Sequence, residues 1–311
     1  MKAVGLTEFG GPEVLRVLDL PLPEAGPGEV RIRVHAAAVN PVDTLVRRGI
    51  AFVSDAEPPY VPGMDAAGVV EQIGEGAGTG LSVGDHVMAV AVVSGTRGAY
   101  AEHLVVPAES VVRVPAGTTG VEAATLPMNG LTALMALDLL ELSTGATVAV
   151  TGAAGAVGGY AVQLAKADGF RVIADAAPKD EHLVKALGAD VVLPRGTAFP
   201  ELVRGELPEG VDGLVDTAGV AGVAVRAVRD GGRVASSAGG VQVPEDRGIV
   251  TRHTFVPQYA REQAKLDRLR QLAEDGRLTP RVARTLPAEH AAEAHRLLEA
   301  GGLRGRLVLT F

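Results

Sequence analysis

Thr147-Val148-Ala149-Val150-Thr151-Gly152-Ala153-Ala154-Gly155-Ala156-Val157-Gly158-Gly159 decides how this chain folds. An apolar, β-branched run leads into a glycine loop, and a helical pattern leaves it. Val157, Ala161, Leu164 and Ala165 recur at i, i+4, i+7 and i+8, one face of a helix, and Gly169 stands where a C′ glycine ends it. Gly152, Gly155 and Gly158 lie three residues apart. Glycine is needed there because a side chain would keep backbone N–H groups away from a pyrophosphate and keep the helix off the sheet. The helix N-terminus, with Ala156 and Val157 in its first turn, offers unpaired N–H donors and partial positive charge to phosphate. In a chain with 40 glycines a triplet alone is weak evidence. The strand before it and the helix after it make it a dinucleotide signature.

Outward from the loop the alternation continues. Strand signals at 171–174, 191–193, 213–216, 233–237 and 253–256 follow that at 147–151, with helical patterns at 181–187 and 223–228 between them. Six strands with helical connections predict an α/β, doubly wound parallel sheet. Residues up to about 120 read differently. Val30-Arg31-Ile32-Arg33-Val34 alternates apolar and polar, and short β signals follow between Gly, Asp and Pro breaks. Such spacing predicts a partly closed β unit of barrel type. The tail holds an amphipathic helix at 261–275, a strand at 282–284, a helix at 288–300 and a strand at 306–311. The expected layout is a β-rich domain of residues 1–120 and 261–311, interrupted by a sheet domain of residues 121–260.

The net charge of −8 carries no basic footprint for nucleic acid. No basic amphipathic stretch marks a membrane surface, and the longest apolar run, 87–93, is too short for a bilayer. The first residues read as a strand, not an export signal, so a soluble, cytoplasmic protein is expected. The absence of cysteine removes disulfides, thiolate nucleophiles and cysteine-ligated zinc. For the dinucleotide, Asp175 sits near the end of the second strand, where a carboxylate favours NAD through the ribose hydroxyls. Lys179 lies just beyond, where a cation neutralises the 2′-phosphate of NADP. These residues leave the choice between NADH and NADPH open.

Further segments share one resemblance. Ala37-Ala38-Val39-Asn40-Pro41-Val42-Asp43, Pro62-Gly63-Met64-Asp65-Ala66-Ala67-Gly68, Val83-Gly84-Asp85-His86-Val87, Gly98-Ala99-Tyr100, Leu126-Pro127-Met128-Asn129-Gly130 and Gly305-Arg306-Leu307-Val308 occur in order around the glycine loop. Together the chain resembles the zinc-free quinone oxidoreductase branch of the medium-chain dehydrogenase/reductase superfamily. The resemblance implies a GroES-like β-rich catalytic domain plus a Rossmann domain, with substrate in the cleft between them. It implies NADPH as hydride donor, with NADH possible, and a homodimer joined through the sixth strand. It also implies that Thr132, Phe255, Val256 and Arg304 lie toward the nicotinamide, and that Ala218, Gly219, Ser237 and Ala238 line the adenosine and ribose path.

The departures from zinc-dependent relatives are specific. Those carry cysteine where Asn40 stands and a His-Glu pair where Met64-Asp65 stands. Amide and thioether are poor zinc ligands, and the structural-zinc lobe is missing between Val93 and Gly98. No metal is expected, and His86 and His103 read as surface or packing residues. An acceptor reduced without a Lewis acid must already be electrophilic, such as a quinone or an activated alkene. Enoyl or alkenal reduction and non-catalytic NADPH binding remain the alternatives. Asn40 is expected to hydrogen-bond near the nicotinamide or the substrate oxygen, or else only to begin a helix before Pro41. Tyr60 is a candidate donor to an oxyanion, and protons come from water. Residues 50–59, on the expected cleft rim, carry no readable specificity code.

Overall fold

The computed structural model describes every residue except Ser54, Asp55, Thr79, residues 240–242, Pro244 and Glu245. Two units divide the chain: Met1–Met128 with Pro257–Asp275 and Pro280–Phe311, and Asn129–Val256 with Gly276–Thr279. In the first unit β1 (Lys2–Gly5) pairs antiparallel with β2 (Arg16–Asp19). The long β3 (Glu29–Val39) follows, and its Val30, Ile32 and Val34 enter the core as the alternation predicts. Its last four residues are all buried, so the strand ends deep in the unit. There Asn40 and Pro41 start α1 (Pro41–Arg47), with proline at a first-turn position whose missing N–H costs nothing. The strands β4 (Asp65–Ile73), β5 (His86–Val90), β6 (His103–Pro107) and β7 (Val111–Arg113) extend the sheet by antiparallel pairing.

The chain leaves this unit through α2 (Gly120–Ala123) and α3 (Pro127–Asp138). The second unit then alternates strand and helix: β8 (Thr147–Thr151), α4 (Ala156–Ala167), β9 (Arg171–Ala176), α5 (Glu181–Ala186), β10 (Val191–Pro194), α6 (Phe199–Glu206), β11 (Val211–Asp216), α7 (Ala221–Ala224), β12 (Val228–Ser236) and β13 (Val250–His253). All pairings are parallel, in the order β10-β9-β8-β11-β12-β13. Numbered within the sheet this is 3-2-1-4-5-6, the doubly wound order, whose switch point between β8 and β11 opens a crevice at the strands' carboxyl ends.

The sixth strand departs from expectation. It spans Val250–His253, whereas the sequence pattern pointed to 253–256. Register decides this. The last residue of β12, Ser236, lies opposite His253, and its carbonyl then accepts from Thr254 N–H. Beyond that the described residues form no ladder, so Phe255 is more than half exposed, and the buried Val256 begins a 3-10 segment.

The tail returns to the first unit. It forms α8 (Gln263–Glu274), β14 (Val282–Pro287), α9 (Ala291–Ala300) and β15 (Arg306–Thr310). With β14 parallel to β15 and β15 antiparallel to β3, the sheet runs β14-β15-β3-β4-β5-β7, and β6 also pairs with β3. The β-rich unit is therefore split in sequence. Among the described residues no helix is long and apolar enough to cross a membrane.

Candidate nucleotide-binding and active site

The glycine loop carries the helix end that the sequence pointed to. Gly152 has φ +72°, a left-handed conformation, and a Cβ there would meet Thr217 Oγ1 at 2.6 Å. Gly155 caps α4, and Ala156, Val157 and Gly158 form its first turn. A Cβ on Gly158 would stand 2.2 Å from the Gly152 carbonyl oxygen, so any side chain would push the helix off its loop. The cradle fits a pyrophosphate at a helix N-terminus.

Asp175 sits under this loop. It is buried, and its Oδ1 accepts from the N–H groups of Gly152 (2.7 Å) and Ala153 (3.2 Å). Burial raises its pKa, and the two N–H donors and the Arg195 charge act against that rise. The carboxylate therefore braces the loop as well as lining a cavity of about 350 Å³. Arg195, Phe199, Ala218, Gly219 and Val223 also line that cavity. Sequence reasoning passed over Arg195. Its one signal was position, immediately after the third strand, and its backbone N–H bonds to the Ala176 carbonyl beside Asp175. Lys179 lies in a short 3-10 turn and is exposed.

Asp216, at the end of β11, is a second missed brace. Its buried carboxylate accepts from Thr151 Oγ1, Ser236 Oγ and the N–H groups of Ala218, Val220 and Ala221. It ties the ends of β8 and β12 to the loop that carries Ala218 and Gly219. Ser237 N–H bonds to the Asp216 carbonyl, and Ala238 N–H to Ser236 Oγ. Thus Gly152, Ala218, Gly219, Ser237 and Ala238 belong to loops at the carboxyl edge of the sheet, where Asp175 stands near the end of β9. Thr132 is buried on α3, and Phe255 N–H faces the Met135 sulfur.

In the first unit the structure gathers Asn40, Asp43, Asp65 and Tyr100. Asn40 Nδ2 donates to Asp65 Oδ2 at 2.6 Å, while Asp65 Oδ1 accepts from Met128 N–H. Asp43, at the third position of α1, reaches back to the Asn40 N–H at 2.7 Å. Asn40 thus begins the helix and also engages a buried carboxylate with its side chain. Burial pushes the Asp43 carboxyl up to about 6 and that of Asp65 to about 7. Hydrogen-bond donors and the Arg306 charge oppose both shifts, and for Asp65 the neighbouring Asp43 adds to the rise.

An amide and a thioether are poor donors for zinc. The Asn40 amide and both Asp65 oxygens are engaged, and Met64 is wholly buried in a cluster with Val46 and Val93. Among the described residues no group of three or more His, Cys, Asp or Glu side chains is placed to hold a metal ion. His103 instead lies 3.1 Å from Glu71, and His86 is exposed. Tyr60 is buried, stacks on Phe9 at 5.1 Å and donates its hydroxyl proton to the Ala56 carbonyl. Its hydrogen bond closes a loop, which the sequence did not reveal. Arg304 precedes β15 and bonds to the Leu303 carbonyl. Of the expected rim, Ser54 and Asp55 lie outside the described residues.

A doubly wound sheet with a glycine-cradled helix, joined in one chain to a split β unit, defines a nucleotide-dependent oxidoreductase. Residues 26–116 match the alcohol dehydrogenase GroES-like domain and residues 187–309 the zinc-binding dehydrogenase family. The chain is 32% identical over 319 residues to the NADPH-dependent alkenal/one oxidoreductase of Arabidopsis thaliana, covering 99% of this chain and 79% of that protein. It is 30% identical over 326 residues to the quinone oxidoreductase of Sus scrofa, with 99% and 97% covered. A crystal structure described as an NAD-dependent alcohol dehydrogenase superposes with a TM-score of 0.89 at 33% identity over the whole of both chains. The chain belongs to the quinone oxidoreductase branch of the medium-chain dehydrogenase/reductase superfamily, and it is an oxidoreductase.

The raised Asp65 pKa has a consequence for stability. The folded pKa of about 7 lies above the ordinary 3.8, so the contribution is full below pH 3.8 and is lost as pH rises through 7. His295, lowered to about 3, has the opposite sign, so the comparison must be with a variant. The stability of the wild type relative to Asp65→Asn is expected to fall by a few kcal/mol between about pH 4 and pH 8. Urea unfolding of both proteins across that range checks it, and parallel curves would refute it.

Proposed function

We propose that the protein is a metal-independent, NADPH-dependent oxidoreductase that transfers hydride to a quinone. The observation that carries this reading is the Asn40–Asp65 pair, an amide and carboxylate bonded to each other at 2.6 Å in a chain that also builds a glycine cradle for a dinucleotide. Without a Lewis acid the acceptor itself must stabilise the incoming charge, as quinones and α,β-unsaturated carbonyls do by placing it on oxygen. When bound, the nicotinamide supplies the hydride from C4. The chain's own part is to bind and orient. The N–H groups at the start of α4 hold the pyrophosphate, and the loops bearing Ala218, Gly219, Ser237 and Ala238 receive the adenosine half. Thr132, Phe255, Val256 and Arg304 are assigned to the nicotinamide end, and Asn40 offers its amide to the nicotinamide or the acceptor oxygen. Tyr60 is not carried forward, because its hydroxyl already serves Ala56. Protons come from water.

The alkenal reading stays open because the Arabidopsis relative bears that name. Steady-state kcat/KM with 1,4-benzoquinone and 9,10-phenanthrenequinone is expected to exceed that with a 2-alkenal. The reverse order would replace quinone by alkenal. Tight NADPH binding with no turnover of either class would favour the non-catalytic alternative.

For the cofactor, the carboxylate that would bond ribose hydroxyls is turned to the loop N–H groups, while the exposed Arg195 lines the same cavity and the exposed Lys179 lies four residues beyond Asp175 in the chain. Two cations there suit a 2′-phosphate. Arg195→Ala is expected to weaken NADPH about tenfold or more and to leave NADH nearly unchanged. Dissociation constants for both nucleotides, repeated with Lys179→Ala, check this; equal losses for both would point to NADH. Among the described residues β13 is the last strand of the six-stranded sheet, and its outer edge offers a ladder to a second copy in a homodimer. Sedimentation equilibrium should give twice the chain mass, and a monomer at micromolar concentration would exclude it.

A further inference from the structure

Asp43 is wholly buried, yet its carboxylate joins three segments of the first unit. Oδ2 accepts from the Asn40 N–H at 2.7 Å and from the Tyr100 hydroxyl at 3.0 Å, and Oδ1 accepts from the Gly63 N–H at 3.1 Å. Behind Tyr100 the chain of contacts continues. Its oxygen lies 3.3 Å from His295 Nε2, and His295 Nδ1 lies 3.2 Å from Arg47. Arg47 is held in turn by Glu299 at 2.7 Å and the Gly10 carbonyl at 3.1 Å.

The donor inventory gives this chain one direction. A guanidinium only donates, so His295 Nδ1 must be the accepting nitrogen. The proton of the neutral ring is then on Nε2, where it donates to the Tyr100 oxygen. That leaves the tyrosine's own proton for Asp43. Neutrality of the ring is secured by burial, with the Arg47 charge adding to it.

We propose that Tyr100 and His295 are positioning residues that hold Asp43 as a carboxylate and, through it, fix Asn40 at the start of α1. The inference rests on reading Asn40 as the amide that meets nicotinamide or acceptor. An ionised Asp43 can accept from all three of its donors. A protonated one carries an O–H that needs an acceptor and has fewer lone pairs for its three donors, so it fits this arrangement less well. The charged and titratable groups around it are Tyr100 and His295 in the chain just described, Arg47 behind them, Asp65 at the start of β4 and Arg306 on β15. Of these Arg306 favours the carboxylate, as do the three donors, and burial opposes it.

Tyr100→Phe and His295→Gln in the full chain test this. Phenylalanine keeps the ring and removes one donor, whereas glutamine can still accept from Arg47 and donate to Tyr100. In the wild type, kcat/KM is expected to decline as pH falls through about 6. Tyr100→Phe should move that acid limb up by about one pH unit, with KM for NADPH unchanged well above it. His295→Gln should leave the limb in place. The same upward move is expected in the pH at which stability declines, a measurement that needs no turnover. A uniform loss of rate at every pH, with the limb and the stability midpoint unmoved, would overturn the proposal. So would a limb left unmoved by His295→Leu, which can neither accept from Arg47 nor donate to Tyr100; that outcome would remove the histidine from the chain. If the wild type reduces neither quinone nor alkenal, the proposed function fails. The stability midpoint then decides the Asp43 arrangement separately, and no shift in Tyr100→Phe overturns it.

Discussion

Loops that form a binding site bury backbone N–H groups outside any helix or ladder, and such groups must find acceptors. In this protein aspartates supply several of them. Asp175 accepts from Gly152 and Ala153, Asp216 from Ala218, Val220 and Ala221, and Asp43 from Asn40 and Gly63. Each carboxylate is buried, so each pairing is made in surroundings where a carboxylate–amide bond is strong and its loss expensive. The glycine loop, the loop after β11 and the start of α1 all depend on this device. Gly158 adds the steric half of the constraint, since α4 can approach the Gly152 carbonyl only without a Cβ.

The same device shapes the electrostatics. Asp43 and Asp65 share the interior of the first unit with Arg306, and burial raises both carboxyls toward neutral pH. Their oxygens face amides and a hydroxyl. An amide at position 40 and a thioether at position 64 turn this cluster from a donor set into a hydrogen-bonded scaffold for one side chain.

The order of elements was legible from residues 147–159 and the alternation after them, because a parallel sheet with covering helices imposes apolar periodicities of 2 and 3.6 along the chain. The tail carries strand and helix signals unlike those of the sheet domain. The sixth strand was less legible. Its extent is set by where β12 ends, a partner 14 residues or more away in sequence that leaves no trace in the local pattern. For the site, the glycines announced themselves because their requirement is steric and local. Asp175 was found by position but its direction was not, since a strand residue's side chain takes the face that the register assigns.

The sequence by itself determined the class of sheet, the place of the glycine loop and the lack of thiolates, because each follows from residue type at short spacing. Only the tertiary structure decided what the carboxylates do. Asp216 appeared as the end of a strand, Asp43 as the start of a helix and Tyr60 as a free hydroxyl. The partners of two come from other segments, Thr151 and Ser236 for Asp216 and Gly63 and Tyr100 for Asp43, while Tyr60 closes a loop on Ala56 four residues back. A hydrogen bond acts over about 3 Å in space and is indifferent to separation along the chain. The chain of contacts from Arg47 through His295 to Tyr100 therefore exists only once α9 has returned, some 250 residues later, to pack beside α1.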